Sequence, residues 1–101
     1  MPLFNNISGT AAVEILAAGE NVSKIKTIRL TNTHVSHPVV VDLFVESNSL
    51  GKFYITKGLT MSAGSTIVLK EGLEFDNTLS GYSMYAQPRT NVTVDILIYK
   101  P

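Results

Sequence analysis

Two stretches of this chain carry nearly the same pattern, and that pattern narrows the folds open to it. Val39-Val40-Val41-Asp42-Leu43-Phe44-Val45 is echoed by Val92-Thr93-Val94-Asp95-Ile96-Leu97-Ile98. In each, every second residue is a branched aliphatic, the period at which side chains alternate across a pleated strand. Nothing flanking the two stretches matches. The echo therefore reads as two central strands under one packing constraint, not as a duplication.

The rest of the chain carries the same period in shorter pieces. Val13, Ile15 and Ala17 alternate ahead of the turn-prone Gly19-Glu20-Asn21. Lys24 to Asn32 sets Ile28 and Leu30 inward and Thr27, Arg29 and Thr31 outward. A polar connection from Thr33 ends at Pro38, a strand entrance where the missing N–H does least harm. After the turn Asn48-Ser49-Leu50-Gly51, Phe53 and Ile55 point one way and Tyr54 the other. Leu59 and Met61 lead into Ser62-Ala63-Gly64-Ser65, a tight turn before Ile67-Val68-Leu69. Glu71 to Ser80 reads as a loop whose Leu73 and Phe75 plug one end of the core. Tyr82, Met84 and Ala86 alternate up to Gln87-Pro88-Arg89-Thr90, which suits a type I turn with Pro second.

About seven or eight short strands with turn signals between them are the signature of a sandwich or barrel. The expected fold is all-β: a single-domain antiparallel β-sandwich over residues 11–101, immunoglobulin-like or jelly-roll-like. Residues 1–10 show no period and carry Pro2, Asn5, Asn6 and Gly9. They read as an extended N-terminal arm, disordered alone or draped over a neighbour.

Composition narrows the function classes. With no Cys, a disulfide framework, a thiolate nucleophile and a Cys-based zinc site are all excluded. Hydrophobic residues make up 45%, enough for a core, while charged residues reach only 16%. An average domain carries roughly 25%. A net charge of zero attracts neither phosphate backbones nor anionic lipids, and it does little to resist association. No nucleic acid, membrane or cofactor is expected as a partner; copies of the chain are. Met1 to Asn6 lacks the basic start and apolar run of a secretory signal. Ala11 to Ala18 is interrupted by Glu14 and is too short to span a bilayer. Without a secretory context, the sequons at Asn6, Asn21 and Asn91 read as chance.

No catalytic constellation emerges. His34 and His37 are three residues apart, but in a loop rather than on a helix, and no Cys joins them. Asp42 and Asp95 hold matching outward positions, and only adjacency of their strands would let them share a cation or a proton. Otherwise they are solvated acids on an outer face. Glu71, Glu74 and Asp76 lack the dense spacing of a calcium loop. Nucleophile elbow and Gly-rich phosphate loop are both missing. Lys24, Lys26 and Arg29 form a modest basic cluster that reads as edge-strand protection. An enzyme is not expected.

More telling are apolar residues on the wrong parity. Val40, Phe44, Val68 and Leu97, with Tyr54, Tyr85 and Tyr99, point away from the predicted core. Several of them on outer faces with few charges nearby point to a contact surface. Burying a Phe or Leu stabilises by about 1.5–3 kcal/mol each, so a handful can hold an oligomer. The competing reading is that other parts of the same subunit cover them.

Three segments carry a family resemblance. They are Ile28-Arg29-Leu30-Thr31-Asn32-Thr33 with the Val39–Val45 strand, Phe53-Tyr54-Ile55-Thr56-Lys57-Gly58, and Ala63-Gly64-Ser65-Thr66-Ile67-Val68-Leu69. Over roughly residues 24–100 the chain resembles small structural proteins of tailed bacteriophages, those of cyanobacterial and marine phages in particular. That group includes capsid cement and decoration proteins with β-sandwich folds, and bacterial immunoglobulin-like modules share much of the pattern. The resemblance implies a virion subunit partnered by itself, as a dimer or trimer, and by a major capsid protein. It carries no catalytic residue across. The alternative class is a receptor- or glycan-binding module of a tail fibre or bacterial surface assembly, with the tyrosines as its only candidate residues.

Overall fold

The computed structural model describes residues 3–70 and 72–101, and its strands pair from the outside of the chain inward. The strands are β1 (Leu3–Ile7), β2 (Val13–Leu16), β3 (Lys24–Ile25), β4 (Thr27–Asn32) and β5 (Val39–Ser47). Then come β6 (Gly51–Met61), β7 (Thr66–Leu69), β8 (Leu73–Glu74), β9 (Ser83–Pro88) and β10 (Val94–Tyr99). β1 pairs with β10, β2 with β9, β3 with β8, β4 with β7 and β5 with β6, all antiparallel. Leu3 faces Ile98, Lys24 faces Glu74, Ile28 faces Leu69 and Phe44 faces Tyr54. The chain is thus one long hairpin folded about the turn at 48–50.

Two further pairings, β10 with β4 and β5 with β9, roll that hairpin into two four-stranded sheets. The first has the order β1-β10-β4-β7 and the second β2-β9-β5-β6; β3 and β8 form a small two-stranded patch. Eight strands in this nested order make a jelly roll, which decides between the two sandwich types left open by the sequence. The echoing stretches are β5 and β10, each an interior strand of its sheet. Val39, Val41, Leu43 and Val45 from one meet Val94, Ile96 and Ile98 from the other in a single core.

Several expectations are corrected. The N-terminal segment is not a free arm: Leu3–Ile7 is an edge strand of the first sheet, and Ile7 is buried in the core. Met1 and Pro2 lie outside the described residues. Lys24 to Asn32 is broken at Lys26, whose N–H donates to the Tyr99 carbonyl. Arg29 does not guard an edge, because β4 lies between β10 and β7. Pro88 ends β9 rather than starting a turn, and the Arg89 N–H donates to the Val40 carbonyl.

Two buried asparagines that nothing in the sequence singles out fasten the loops, one at each end of the sandwich. Asn32 gives its amide N–H groups to carbonyls of the 33–38 loop and the 61–62 chain, His37 at 2.8 Å being nearest; its Oδ1 accepts from the His34 N–H. At the opposite end Asn77 donates to Ala17 and Tyr82 carbonyls and accepts from the Val22 N–H. Both side chains are fully buried and fully satisfied, as a low-dielectric interior demands.

Candidate interaction faces

The outer face of the second sheet carries an aromatic row. β5 places Phe44 between Tyr85 of β9 and Tyr54 of β6 in direct cross-strand register. Phe44 stacks on Tyr85 with ring centroids 5.3 Å apart and leans against Tyr54 at 5.6 Å. Lys52 lays its ammonium 4.1 Å above the Phe44 ring, a cation–π contact worth about 0.5–1 kcal/mol at such a site. Phe44 is only 2% exposed as a result. It points outward, yet its own subunit covers it. Tyr54 remains 44% exposed at the edge of the row. At the other edge the Tyr85 hydroxyl donates to Glu14 at 3.4 Å. Burial, then the Glu14 carboxylate, push the Tyr85 phenol above its ordinary value of 10.0.

Beside that row β6 bulges. Opposite Val41 to Phe44 it carries two extra residues, and the register slips on either side of Leu43. Gly58, at φ +72°, sits in the bulge, where only glycine adopts the turn without strain. Its N–H, freed from the ladder, donates to Asp42 Oδ1 at 2.7 Å. Arg89 completes the cluster with Nη2 on Oδ1 at 2.9 Å and Nε on Oδ2 at 3.2 Å. Burial raises the Asp42 pKa, but hydrogen bonds from Arg89 and Gly58 and the charges of Arg89 and Lys57 outweigh it. The carboxyl ends below its ordinary 3.8. Asp42 is therefore a buried, ion-paired strut and not a solvated acid. Asp95 lies on the other sheet, so the two acids cannot share a cation or a proton.

The outer face of the first sheet is built differently. One row crosses all four strands: Phe4, Leu97, Arg29 and Val68. Phe4 is 68% exposed, Leu97 and Val68 are half-buried, and Tyr99 lies two residues along β10 from Leu97. The residues nominated from sequence therefore fall on opposite faces. Val40, Phe44 and Tyr85, with Tyr54, belong to the second sheet; Val68, Leu97 and Tyr99 belong to the first. Phe4 was missed because its segment has no period to set a parity.

Among the described residues no group of three or more His, Asp or Glu could hold a metal ion. His34 Nδ1 accepts from the Ser36 and His37 N–H groups, so that nitrogen braces the loop. Asp76 accepts from the Thr78 hydroxyl and N–H, and Glu71 lies outside the described residues. Among the described residues no helix is long and apolar enough to cross a membrane.

No protein-family model matches the sequence, and no curated protein does. Solved structures match the fold. A Bacillus protein of the endospore appendages, which form disulfide-linked pili, superposes with a TM-score of 0.57 at 10% identity, covering 99% of this chain and 85% of that one. PirA gives 0.56 at 9% identity over 98% and 94% of the two chains. The Clostridium thermocellum xylanase 10B, a CBM22-1–GH10 structure complexed with xylohexaose, gives 0.51 at 10% identity. That match covers 97% of this chain but only 26% of the other. At such identities the likeness establishes the β-sandwich fold alone.

Proposed function

We propose that this protein is a non-enzymatic structural subunit of a virion, a capsid cement or decoration protein that associates with its own copies and with a major capsid protein. The observation that carries the reading is the Phe4–Leu97–Arg29–Val68 row on the outer face of the first sheet, in which Phe4 is exposed, Leu97 and Val68 are half-buried and Arg29 stands between the last two. Exposed apolar surface such as the Phe4–Leu97 pair marks interaction sites, and a chain with few charges offers little repulsion against it. The resemblance to tailed-phage structural proteins supports the virion setting. The jelly-roll order agrees with it only by analogy, since capsid subunits and lectins share that order. The Bacillus appendage protein builds pili with disulfide links. A chain without Cys must assemble by non-covalent burial instead, and many weak copies on a lattice add up by multivalency.

The test is the solution mass by light scattering across a dilution series. A dimer or trimer that Leu97→Asp converts to a folded monomer supports the reading, and a persistent monomer overturns its self-association. Cosedimentation with cyanophage heads then tests the capsid step, and failure to bind heads removes it.

The Tyr85–Phe44–Tyr54 row supports a second reading, a glycan-binding face. A glycan array with a Tyr85→Ala variant separates the two, because a cement protein ignores both.

A further inference from the structure

Where β6 and β7 run as the outermost strands of their sheets, a cleft of about 780 Å³ opens between the sheets. That volume is within the roughly 300–1,000 Å³ of small-molecule sites. Its apolar lining comes from Phe53 and Ile55 of β6, Ile28 of β4 and Leu69 of β7, with Leu73 and Phe75 at one end. Phe53 faces inward, opposite core residue Val45, and yet is 57% exposed. An inward phenylalanine left this wet marks a space that the fold does not fill.

An added β-strand is a poor occupant. The β6 edge is interrupted by two bulges and carries Lys52 and Lys57, the devices by which sheets refuse a new strand. β7 offers only four residues. What remains is an occupant that needs no backbone ladder. The cleft's charged groups gather at the same end as Leu73, which pairs with Ile25 beside Lys26. Lys26 and Lys70 line it with Glu74 and Asp76. Glu74 lies 3.9 Å from Lys24, and Asp76 is held by Thr78. Among the described residues neither Lys26 nor Lys70 joins an ion pair. We propose that the cleft binds a single-chain amphiphile with an anionic end, its aliphatic chain between the sheets and its carboxylate against Lys26 and Lys70. This site borders the outer-face row invoked for assembly and shares Val68 with it.

The experiment is titration of the full chain with dodecanoate below its micellar concentration, by calorimetry and amide-resolved NMR. The expected result is saturable one-to-one binding with shifts at Ile28, Ile55, Leu69 and Leu73. Dodecanol, which lacks the charge, and the Lys26→Glu/Lys70→Glu variant with dodecanoate should each bind about tenfold more weakly, the scale of two surface charge contacts. An Ile55→Trp variant that fills the cleft should lose binding; if it misfolds, the NMR shifts still place the ligand. Unsaturable binding, or shifts on the outer faces, overturns the site. Equal affinity for dodecanol and dodecanoate overturns the anionic end.

Discussion

Arg89 grips Asp42 with two guanidinium nitrogens, 2.9 and 3.2 Å from its two carboxylate oxygens, beside the β6 bulge. The pair serves the backbone, since Asp42 also accepts the Gly58 N–H that the bulge strands. Because the folded carboxyl lies below 3.8, its contribution is fully present above the unfolded value and is lost as pH falls through the lower folded one. Asp42→Asn should cost about 1–3 kcal/mol near neutral pH. It should also flatten the fall in melting temperature from about pH 5 to about pH 2. Thermal melts across that range check both.

Gly81 carries a different constraint. A Cβ there would run into the Asp76 carbonyl oxygen, and that oxygen accepts the Tyr82 N–H. Gly81→Ala should cost at least the upper part of the about 1–3 kcal/mol typical of overpacking. Gly64→Ala, with open space around it, should cost about 1 kcal/mol for its positive φ alone. Urea denaturation of the two variants gives the comparison.

Asn77→Ala strips partners from Ala17, Val22 and Tyr82 in one step, a loss of about 3 kcal/mol or more. Asn32→Ala acts at the far end of the sandwich. The two losses should add within about 0.5 kcal/mol in the double variant, measured by equilibrium unfolding.

Phe44→Asp should unfold the protein, because the ring is buried beneath Tyr54, Tyr85 and Lys52. Leu97→Asp, on the half-open face of the first sheet, should keep the fold. Circular dichroism separates the two at once.

Tyr85 should ionise above 10.0, and Glu14→Gln should bring it down by removing the adjacent negative charge. Absorbance titration with Tyr85→Phe as the blank reads that one phenol.

What was legible in the sequence was what is local. Period two in Val39–Val45 and Val92–Ile98 gave both central strands and the right inner residues. Leu3–Ile7 was missed because Asn5 stands between Leu3 and Ile7 and breaks the apolar alternation. The parity of Phe44 was legible but its burial was not, since the covering rings come from strands that only the fold brings alongside. For the same reason nothing showed that Phe44 and Leu97 face opposite ways. Asn32 and Asn77 look like any loop asparagine until their carbonyl partners converge. The Leu3–Ile98 pairing is a relation across the whole chain, and no window of residues contains it.

That nesting bears on how the chain reaches its native state. If β5 and β6 zip first from the turn at 48–50, each pair that forms shortens the loop the next must close. β4 with β7, then β2 with β9, then β1 with β10 follow in order of decreasing proximity to the turn. Substitutions at Gly51 should therefore slow refolding, while those at Ile7 should leave refolding unchanged and speed unfolding. The termini become the last part of the molecule to close and the first to open.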